Sequence, residues 1–352
     1  MKILNKIITF YQEEKPFVVY RKPNSDFVSG FFMQDKTLVF TDDFSESGFV
    51  FAPFDSGQKA ILFPLNTSEF ITEELSLDTF NADEKYFSAD EVSKEKHVKL
   101  VEKAIEEINK KDLKKVVISR TEQVKISDFN LLEIYQKLLQ NYKNAFVYVW
   151  FHPKVGLWLG ATPETLLNIE NSVFTTMSLA GTQVYQNTEN VVWKTKELEE
   201  QQLVTDFIKS QLEKISSDLK IDKTETVKAG SLLHLKTKVT GVLDKKSNLK
   251  TLVRALHPTP AVCGLPREKA KKFILENEYY QRSYYTGFLG EINVLDSNSN
   301  SQSSALFVNL RCMNISKNKA SLFIGGGITK DSNALKEWEE TVSKSNVMKR
   351  VL

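Results

Sequence analysis

Two strand-like runs flank one helical run in KKVVISRTEQVKISDFNLLEIYQKLLQNYKNAFVYVWF, residues 114–151. The strands are VVIS and AFVYVWF, the helix is predicted around residues 130–141, and a turn containing Gly160 follows. Helices and strands then intermingle to the end of the chain. They lack the regular strand-helix-strand alternation of a dinucleotide-binding fold, and no GxGxxG motif follows a strand. The sequence therefore predicts an α+β fold with mostly antiparallel strands.

Residues 1–90 contain short β-like runs (FVVY, FFMQ, TLVF and AILFPL) separated by Gly, Pro, Asn and Asp, which predicts a meander of antiparallel strands. The pattern then changes, because Val98, Val101, Ile105 and Ile108 recur at helical spacing between charged residues. This spacing indicates an amphipathic surface helix after the meander.

Charge and hydropathy exclude several classes of partner. The 47 basic and 45 acidic residues give a formal net charge of +2, so no global field favours nucleic acid or anionic lipid. The amino terminus lacks the small-residue cleavage site of a signal peptide, and the longest apolar run, residues 145–151, is too short to span a membrane. We therefore expect a soluble protein that binds neither nucleic acid nor membrane.

Two cysteines and four histidines occur in the chain, without CxxC or HExxH spacing. This argues against a zinc site and against a disulfide framework. A reducing, cytoplasmic location is the resulting expectation. Cys263 is interpreted as a small packing residue, because no base is identifiable beside it.

The helical segment KTKELEEQQLVTDFIKSQLEKI, residues 194–215, has an apolar stripe that leads into two carboxylates. Stepping backwards from Val204 and Ile208 at helical spacing reaches Glu200 and Glu197. A buried carboxylate needs a cation, a partner or a proton. Periodicity alone supports equally well a helix end that emerges into water with both glutamates solvated.

A second acidic face is predicted in SNALKEWEETVSKSNVMKRVL, residues 332–352. Glu337, Glu340 and Lys344 share one side of this helix. The opposite, apolar side carries Leu335, Trp338 and Val342. Charge pattern alone favours a solvated face with ion pairs inside the helix.

Three successive glycines, Gly325, Gly326 and Gly327, precede this helix and follow the strand-like run SLFI. We interpret them as a turn in which bare backbone amides approach an anionic ligand. Glycine turns also arise for steric reasons, so the motif alone leaves both interpretations open.

Taken together, eight ordered segments resemble the chorismate-utilising enzymes, the family of isochorismate, salicylate, anthranilate and aminodeoxychorismate synthases. The segments are KKVVISR (114–120), GATPETLL (160–167), SLAGTQ (178–183), ELEEQQLV (197–204), LHPTPAVCGLP (256–266), YYTGFLGEI (284–292), NLRCMNI (309–315) and LFIGGGI (322–328) followed by EWEETVSK (337–344). Eight matches in order are far more specific than any one of them.

The resemblance implies two large, mostly antiparallel β-sheets packed together, with helices outside and the substrate chorismate between them. It implies one catalytic domain over residues 1–352, in which a variable part, residues 1–90, completes the sheets of a motif-bearing core, residues 90–352. No obligatory protein partner is expected, and the protein is expected to be a monomer.

The same resemblance implies one Mg²⁺ held by glutamates from two helices. By motif position, Glu200 and Glu340 are the leading ligands, with Glu197 and Glu337 close by and acting directly or through water. Mg²⁺ prefers hard oxygen ligands and often keeps waters, so it suits a site that joins protein carboxylates to a substrate carboxylate.

The resemblance also implies a set of substrate-binding residues, which would contact the second substrate carboxylate or a ring hydroxyl. They are Gly181, Thr182, His257, Tyr285, Arg311, Gly325, Gly326 and Lys344. Arg311 suits a carboxylate because its fork binds bidentately. His257 either binds a substrate hydroxyl or orders its loop, whereas His234 is expected to have a structural or supporting role.

The resemblance assigns the general base to Lys115, which activates water, and the general acid to Glu164, which protonates the leaving hydroxyl. Each role needs a shifted pKa, lowered for the lysine and raised for the glutamate. Strand alternation sends Lys114 and Lys115 to opposite faces, so only one of them enters the cleft. A solvent-facing lysine and a turn carboxylate are the alternatives without the family pattern.

The implied activity is isochorismate synthase, an isomerase that adds water at C2 of chorismate and expels the C4 hydroxyl, in a menaquinone or siderophore pathway. Lysine at position 115 argues against anthranilate synthase, where glutamine is common. Salicylate synthase, which also eliminates pyruvate, an aminating subunit and a catalytically inactive chorismate-binding subunit are the alternatives. Gln201 and Gln183 depart from the histidine and arginine that are usual at these positions.

Overall fold

The structure is a computed structural model, and it describes residues 2–76, 91–186, 188, 190–229, 232–295 and 301–352. Its helices are α1 (Lys2–Gln12), α2 (Glu91–Asn109), α3 (Leu131–Asn141), α4 (Thr195–Leu212), α5 (Leu249–Leu256), α6 (Arg267–Asn277) and α7 (Ala334–Lys349), with one 3-10 turn at Leu65–Thr67.

The strands all lie between α1 and α7 in the described sequence. They are β1 (Phe17–Arg21), β2 (Phe27–Met33), β3 (Val39–Thr41), β4 (Gly48–Ala52), β5 (Ala60–Pro64), β6 (Ser68–Glu74), β7 (Lys115–Lys125), β8 (Phe146–His152), β9 (Gly156–Thr162), β10 (Thr165–Glu170), β11 (Val173–Val184), β12 (Ser216–Ile221), β13 (Glu225–Ala229), β14 (Leu232–Leu243), β15 (Gly264–Leu265), β16 (Phe288–Leu295), β17 (Gln302–Val308), β18 (Cys312–Ser316) and β19 (Lys319–Ile328).

The strands form two sheets in which every pairing is antiparallel. In the described part of the chain, the first sheet has nine strands in the order β15-β7-β19-β18-β9-β8-β1-β2-β6. The second has ten strands, β12-β14-β11-β10-β17-β16-β4-β5-β3, and β13 also pairs with β14. The predicted α+β fold with two large antiparallel sheets is confirmed, and strands from the amino-terminal region join both sheets.

Apolar side chains divide into a layer between the sheets and layers under the helices. The layer between the sheets is largely aromatic and contains Tyr20, Phe31, Phe51 and Trp150. α1 and α3 cover the outer face of the first sheet, α4 and α5 cover the second, and α2 and α6 pack at the β7 end. Burial on both faces explains why many strands are apolar without alternation. Within the described residues, no helix has the length and apolar character needed to cross a membrane.

Two local expectations are wrong. Residues 2–12 form α1, which the sequence analysis did not predict, although Ile3, Ile7 and Phe10 are buried at helical spacing. Gly160 lies inside β9 and not in a turn, because β9 continues to Thr162 and pairs with both β8 and β18.

Candidate active site

A cleft lies between the two sheets, where β7 and β19 of one sheet approach β11 and β14 of the other, near α4 and α7. Its cavity volume is about 100 Å³. Most of the predicted site residues line it: Glu164, Gly181, Thr182, Glu197, Glu200, Tyr285, Arg311, Gly325, Gly326, Glu340 and Lys344. Lys115 and Glu337 reach the same region through ion pairs described below.

Lys115 begins β7 and is completely buried, whereas its neighbour Lys114 is exposed. The strand places successive side chains on opposite faces, as the sequence predicted. Its ammonium lies 2.8 Å from a carboxylate oxygen of Glu200 on α4. The lysine is therefore not a solvated strand residue, and it joins the first sheet to the acidic end of α4.

Glu164 lies in the short connection between β9 and β10 and is 3% exposed. Its backbone carbonyl accepts a hydrogen bond from the amide of Val308, which fixes the connection against β17. Burial raises the pKa of the Glu164 carboxyl to about 8, although the charges of Lys115 and Arg311 act in the opposite direction. At neutral pH this side chain carries a proton that it can donate.

Glu197 and Glu200, near the amino-terminal end of α4, make different contacts. A carboxylate oxygen of Glu197 accepts a hydrogen bond from the backbone amide of Lys194 at 2.9 Å and so caps its own helix. Glu200, one turn later, points to Lys115. Gln201 is buried, and its amide nitrogen donates to the Ser178 hydroxyl at 2.9 Å, which fastens this turn of α4 to β11.

The acidic face of α7 points into the protein. Glu337 is 2% exposed, so the solvated acidic face that the charge pattern favours is not observed, and Leu335 on the opposite side of the helix is 55% exposed. The reason is that α7 lies across β19 with its carboxylates towards the glycines. Glu340 pairs with Lys344 at 2.6 Å, and Lys344 also donates to the Gly325 carbonyl at 3.0 Å.

Lys196 supplies a positive charge among these acids, which the sequence analysis did not anticipate. Its ammonium lies 2.6 Å from Glu337, and the charges of Glu337, Glu200 and Glu340 together raise the pKa of Lys196 against the effect of burial. Burial and the charge of Glu340 raise the pKa of Glu337. The pKa of Glu340 is lowered, because Lys344 and Lys196 outweigh the effect of its burial.

The donor set between α4 and α7 suits a hard cation. Every candidate ligand is a carboxylate, and a positive group, Lys196, already lies among Glu200, Glu337 and Glu340. Within the described ranges, no three His, Cys, Asp or Glu side chains are close enough together to hold a metal ion as they stand. A metal ion would therefore take the place of lysine ammonium groups, and the carboxylates would turn towards it.

The three glycines belong to β19 and not to a turn, which corrects the sequence interpretation. β19 pairs with β7 through Gly325, Gly326 and Gly327. It pairs with β18 only from Lys319 to Leu322, so the cleft opens where β18 leaves β19. A Cβ at Gly327 would lie 2.4 Å from the nearest Glu200 carboxylate oxygen, so the missing side chain makes room for the acid.

Arg311 lies where β18 leaves β19, directly before Cys312. Its backbone has φ of 47°, a left-handed conformation that is uncommon outside glycine, and its carbonyl accepts a hydrogen bond from Ala161. Tyr285 lies beside it in the cleft, stacked on Phe323 with ring centroids 5.5 Å apart. Burial raises the pKa of the Tyr285 hydroxyl, so Tyr285 offers a neutral donor next to the Arg311 cation.

His234 on β14 lines the cleft and was assigned only a structural or supporting role from the sequence. Its Nδ1 lies 2.8 Å from the Gly181 carbonyl, which can only accept, so Nδ1 carries the hydrogen. Burial lowers the pKa of His234 to about 3, and its buried Nε2 has no partner among the described residues. His234 is thus a neutral acceptor beside Thr182.

His257 does not reach the cleft, so its assignment as a substrate contact is corrected. It lies in a separate small cavity beside Phe44 and Arg254, and its ring contacts Phe288 edge to face at 5.0 Å. His257 directly follows α5, and the described lining of its cavity comes from α5, β3, β4, β5, β16 and nearby loops, with no residue of β11 or β14. Of the two interpretations of His257, ordering of the local structure fits this position.

Known proteins resemble this chain in sequence and in fold. A family profile described as "Chorismate binding enzyme" matches residues 59–352. The chain is 33% identical to the isochorismate synthase EntC of Escherichia coli over 205 residues, 56% of this chain and 51% of EntC. It is 30% identical to the isochorismate synthase MenF of Bacillus subtilis over 273 residues, 74% of this chain and 56% of MenF. The chain spans about half the length of these relatives.

Solved structures share the fold over nearly the whole chain. DhbC from Bacillus anthracis superposes with a TM-score of 0.82 at 24% identity, covering 99% of each chain. The menaquinone-specific isochorismate synthase MenF from Escherichia coli superposes with a TM-score of 0.77 at 20% identity, covering 96% of this chain and 88% of MenF. At these identities the likeness concerns the arrangement of sheets and helices.

Proposed function

The chain belongs to the chorismate binding enzymes, and on this premise we propose that it is an isochorismate synthase. The reaction adds water at C2 of chorismate and releases the C4 hydroxyl, so it needs one base and one acid. The observation that carries the proposal is that one cleft brings together two buried groups, Lys115 and Glu164. An amine of this kind can accept a proton, and a protonated carboxyl can donate one.

Glu164 is suited to the acid because its burial keeps the proton on the carboxyl at neutral pH. In the proposed reaction it gives this proton to the leaving C4 hydroxyl, which departs as water. As the neutral amine, Lys115 accepts a proton from the attacking water, and the resulting ammonium is stabilised by Glu200 at 2.8 Å. One proton is taken up and one is released, so the ring is isomerised without net change in composition.

The remaining cleft residues supply orientation. We propose that Arg311 holds one substrate carboxylate bidentately, with the Tyr285 hydroxyl and the backbone around Gly326 completing the contact. This edge of β19 faces the cleft because β18 has already left it. His234 Nε2 offers an acceptor for a substrate hydroxyl, and Thr182 lies beside it.

We propose Mg²⁺ as the cofactor, held by Glu200 and Glu340, with Glu197 and Glu337 close by and acting through water. The ion would supply positive charge for the other substrate carboxylate. Glu197 is the weaker candidate ligand, because one of its oxygens caps α4. Lys196 would move away from Glu337 when the carboxylates turn towards a metal ion.

The test is product analysis after incubation of the purified protein with chorismate, with Mg²⁺ or with EDTA, and without ammonia. We expect isochorismate in the Mg²⁺ sample, identified by chromatography and mass spectrometry, and little in the EDTA sample. Release of pyruvate with salicylate would replace the proposal by a salicylate synthase. Product only after addition of ammonia would indicate an aminating enzyme, and absence of turnover under all conditions would indicate an inactive binding subunit.

A further inference from the structure

A second, larger cavity adjoins the cleft, and we call it the basic vestibule. Its volume is about 670 Å³. It is formed by the end of α3 and the following residues 141–145, by the edge of β13 and β14, and by the connection before β10. Three residues, Pro163, Leu179 and Arg311, line both the vestibule and the cleft, so the two spaces meet at the Arg311 side chain.

The vestibule is lined by positive charge. Lys143, Lys228, Lys236 and Arg311 contribute to its wall, and no Asp or Glu among the described residues does so. Lys236 pairs with Glu225 at 3.0 Å, which leaves the balance of charge positive. With a formal net charge of only +2 for the whole chain, this is a local concentration of cations and not a reflection of overall composition.

The opposite end of the cleft is rich in negatively charged side chains. This end contains four carboxylates, those of Glu197, Glu200, Glu337 and Glu340. The lysines among them form ion pairs with these carboxylates. A dianion approaching from α4 and α7 would meet carboxylates first, whereas one approaching through the vestibule would meet lysines first. Surface potentials of this kind raise local ligand concentration and association rates.

Arg311 is placed to receive an anion from the vestibule. In the part of the chain that the structure describes, no carboxylate lies within ion-pair distance of its guanidinium. Burial lowers the pKa of Arg311, and the largest opposing influences on this pKa are Tyr285 and Glu340. Arg311 is only partly buried and lines both spaces, so its guanidinium can take a carboxylate partner from a substrate.

We propose that the basic vestibule is the entrance through which the dianionic substrate reaches Arg311, while the acidic end of the cleft admits the metal cation. The inference rests on the proposed function only for the identity of the dianion, chorismate. Lys143, Lys228 and Lys236 act by attraction at a distance and take no part in the chemical step.

The test measures the association rate of chorismate by stopped-flow tryptophan fluorescence in a Glu164→Gln background, where turnover does not contribute. Lys143→Glu, Lys228→Glu and Lys236→Glu are combined in one protein. We expect the association rate constant to fall about 10-fold at low ionic strength, with the dissociation rate nearly unchanged. The difference should shrink as salt is added, because exposed charges are screened.

The matched control carries Lys59→Glu, Lys245→Glu and Lys246→Glu, which change the net charge equally at exposed positions outside the vestibule. An unchanged association rate in the vestibule variant, or an equal fall in the control, would overturn the proposal. The wild-type protein could bind chorismate with an association rate that depends on the vestibule lysines and yet form no isochorismate. That result would contradict the proposed function but support the proposed entrance.

Discussion

The candidate site has two halves that differ in how they are held. The half on the strands contains Lys115 and Glu164, which are 0% and 3% exposed and fixed by the sheet hydrogen bonds. The half on the helices contains Glu200 and Glu340, whose side chains are 14% and 29% exposed and joined to lysines. Rigid burial suits proton transfer, whereas ion pairs that water can reach suit the exchange of one cation for another.

The largest expected effect is loss of the base from the strand half. Lys115→Ala should lower the rate of isochorismate formation roughly 10²- to 10⁴-fold, because general base catalysis contributes about that much. Lys114→Ala is the matched control, since the neighbouring lysine is exposed and should retain activity. Rates are measured by product chromatography, with a thermal melt to show that both variants fold.

Equal activity of Lys115→Ala and wild type would show that the strand half does not supply the base. An equal loss of activity in both variants would show that the burial of Lys115 and the exposure of Lys114 make no functional difference.

The contact between the two halves is tested at β19. Gly327→Ala would place a Cβ 2.4 Å from Glu200 and 3.0 Å from Lys115. Because displacement by about 1 Å can cost 10²-fold in rate, we expect a loss of roughly that size. Wild type is the reference, because the neighbouring Gly326 faces Glu337 and belongs to the proposed binding site. Steady-state kinetics of both proteins, with a thermal melt to show that the variant folds, give the comparison.

A Gly327→Ala variant as active as wild type would mean that Glu200 and Lys115 can separate without consequence. The two halves would then work independently.

The helix half is tested through metal affinity. Glu340→Gln should weaken Mg²⁺ binding roughly 10-fold or more, because a hard cation loses a charged oxygen ligand. Glu339→Gln, one residue earlier on the exposed side of α7, should bind as wild type does. Isothermal titration with Mg²⁺ measures both without any turnover, and equal affinities would place the cation elsewhere.

Periodicity predicted which side chains of an element are buried. It placed Lys114 and Lys115 on opposite faces, and the family pattern then selected Lys115 as the inward residue. It also led from the stripe of α4 to Glu200 and Glu197. It could not separate Glu197 from Glu200, because the difference is a helix cap that depends on where α4 begins. The family pattern supplied Glu164, while its raised pKa required the burial that only the packed sheets show.

What the sequence missed depends on contacts between distant segments. Three glycines suit a strand as well as a turn, and pairing with β7 decides for the strand. His257 is buried as a cleft residue would be, but local sequence does not say which of two cavities it enters. Lys196 stands beside Glu197 in the sequence, and only the approach of α7 brings Glu337 to it.

The remaining expected effect concerns stability, and not rate or affinity, because the buried acid of the strand half destabilises the folded protein as the pH rises. Glu164 has a pKa of about 8 in the folded protein and an ordinary value of 4.5. Between these values the folded state keeps the proton and the unfolded state releases it, so stability falls as pH rises through this window. Relative to Glu164→Gln, which does not titrate, wild type should lose about 1.4 kcal/mol of unfolding free energy per pH unit. Urea unfolding of both proteins at several pH values between 5 and 8 measures the difference. A difference independent of pH would mean that Lys115 and Arg311 hold the carboxyl ionised, and Glu164 would then belong with the ion-paired glutamates of the helix half.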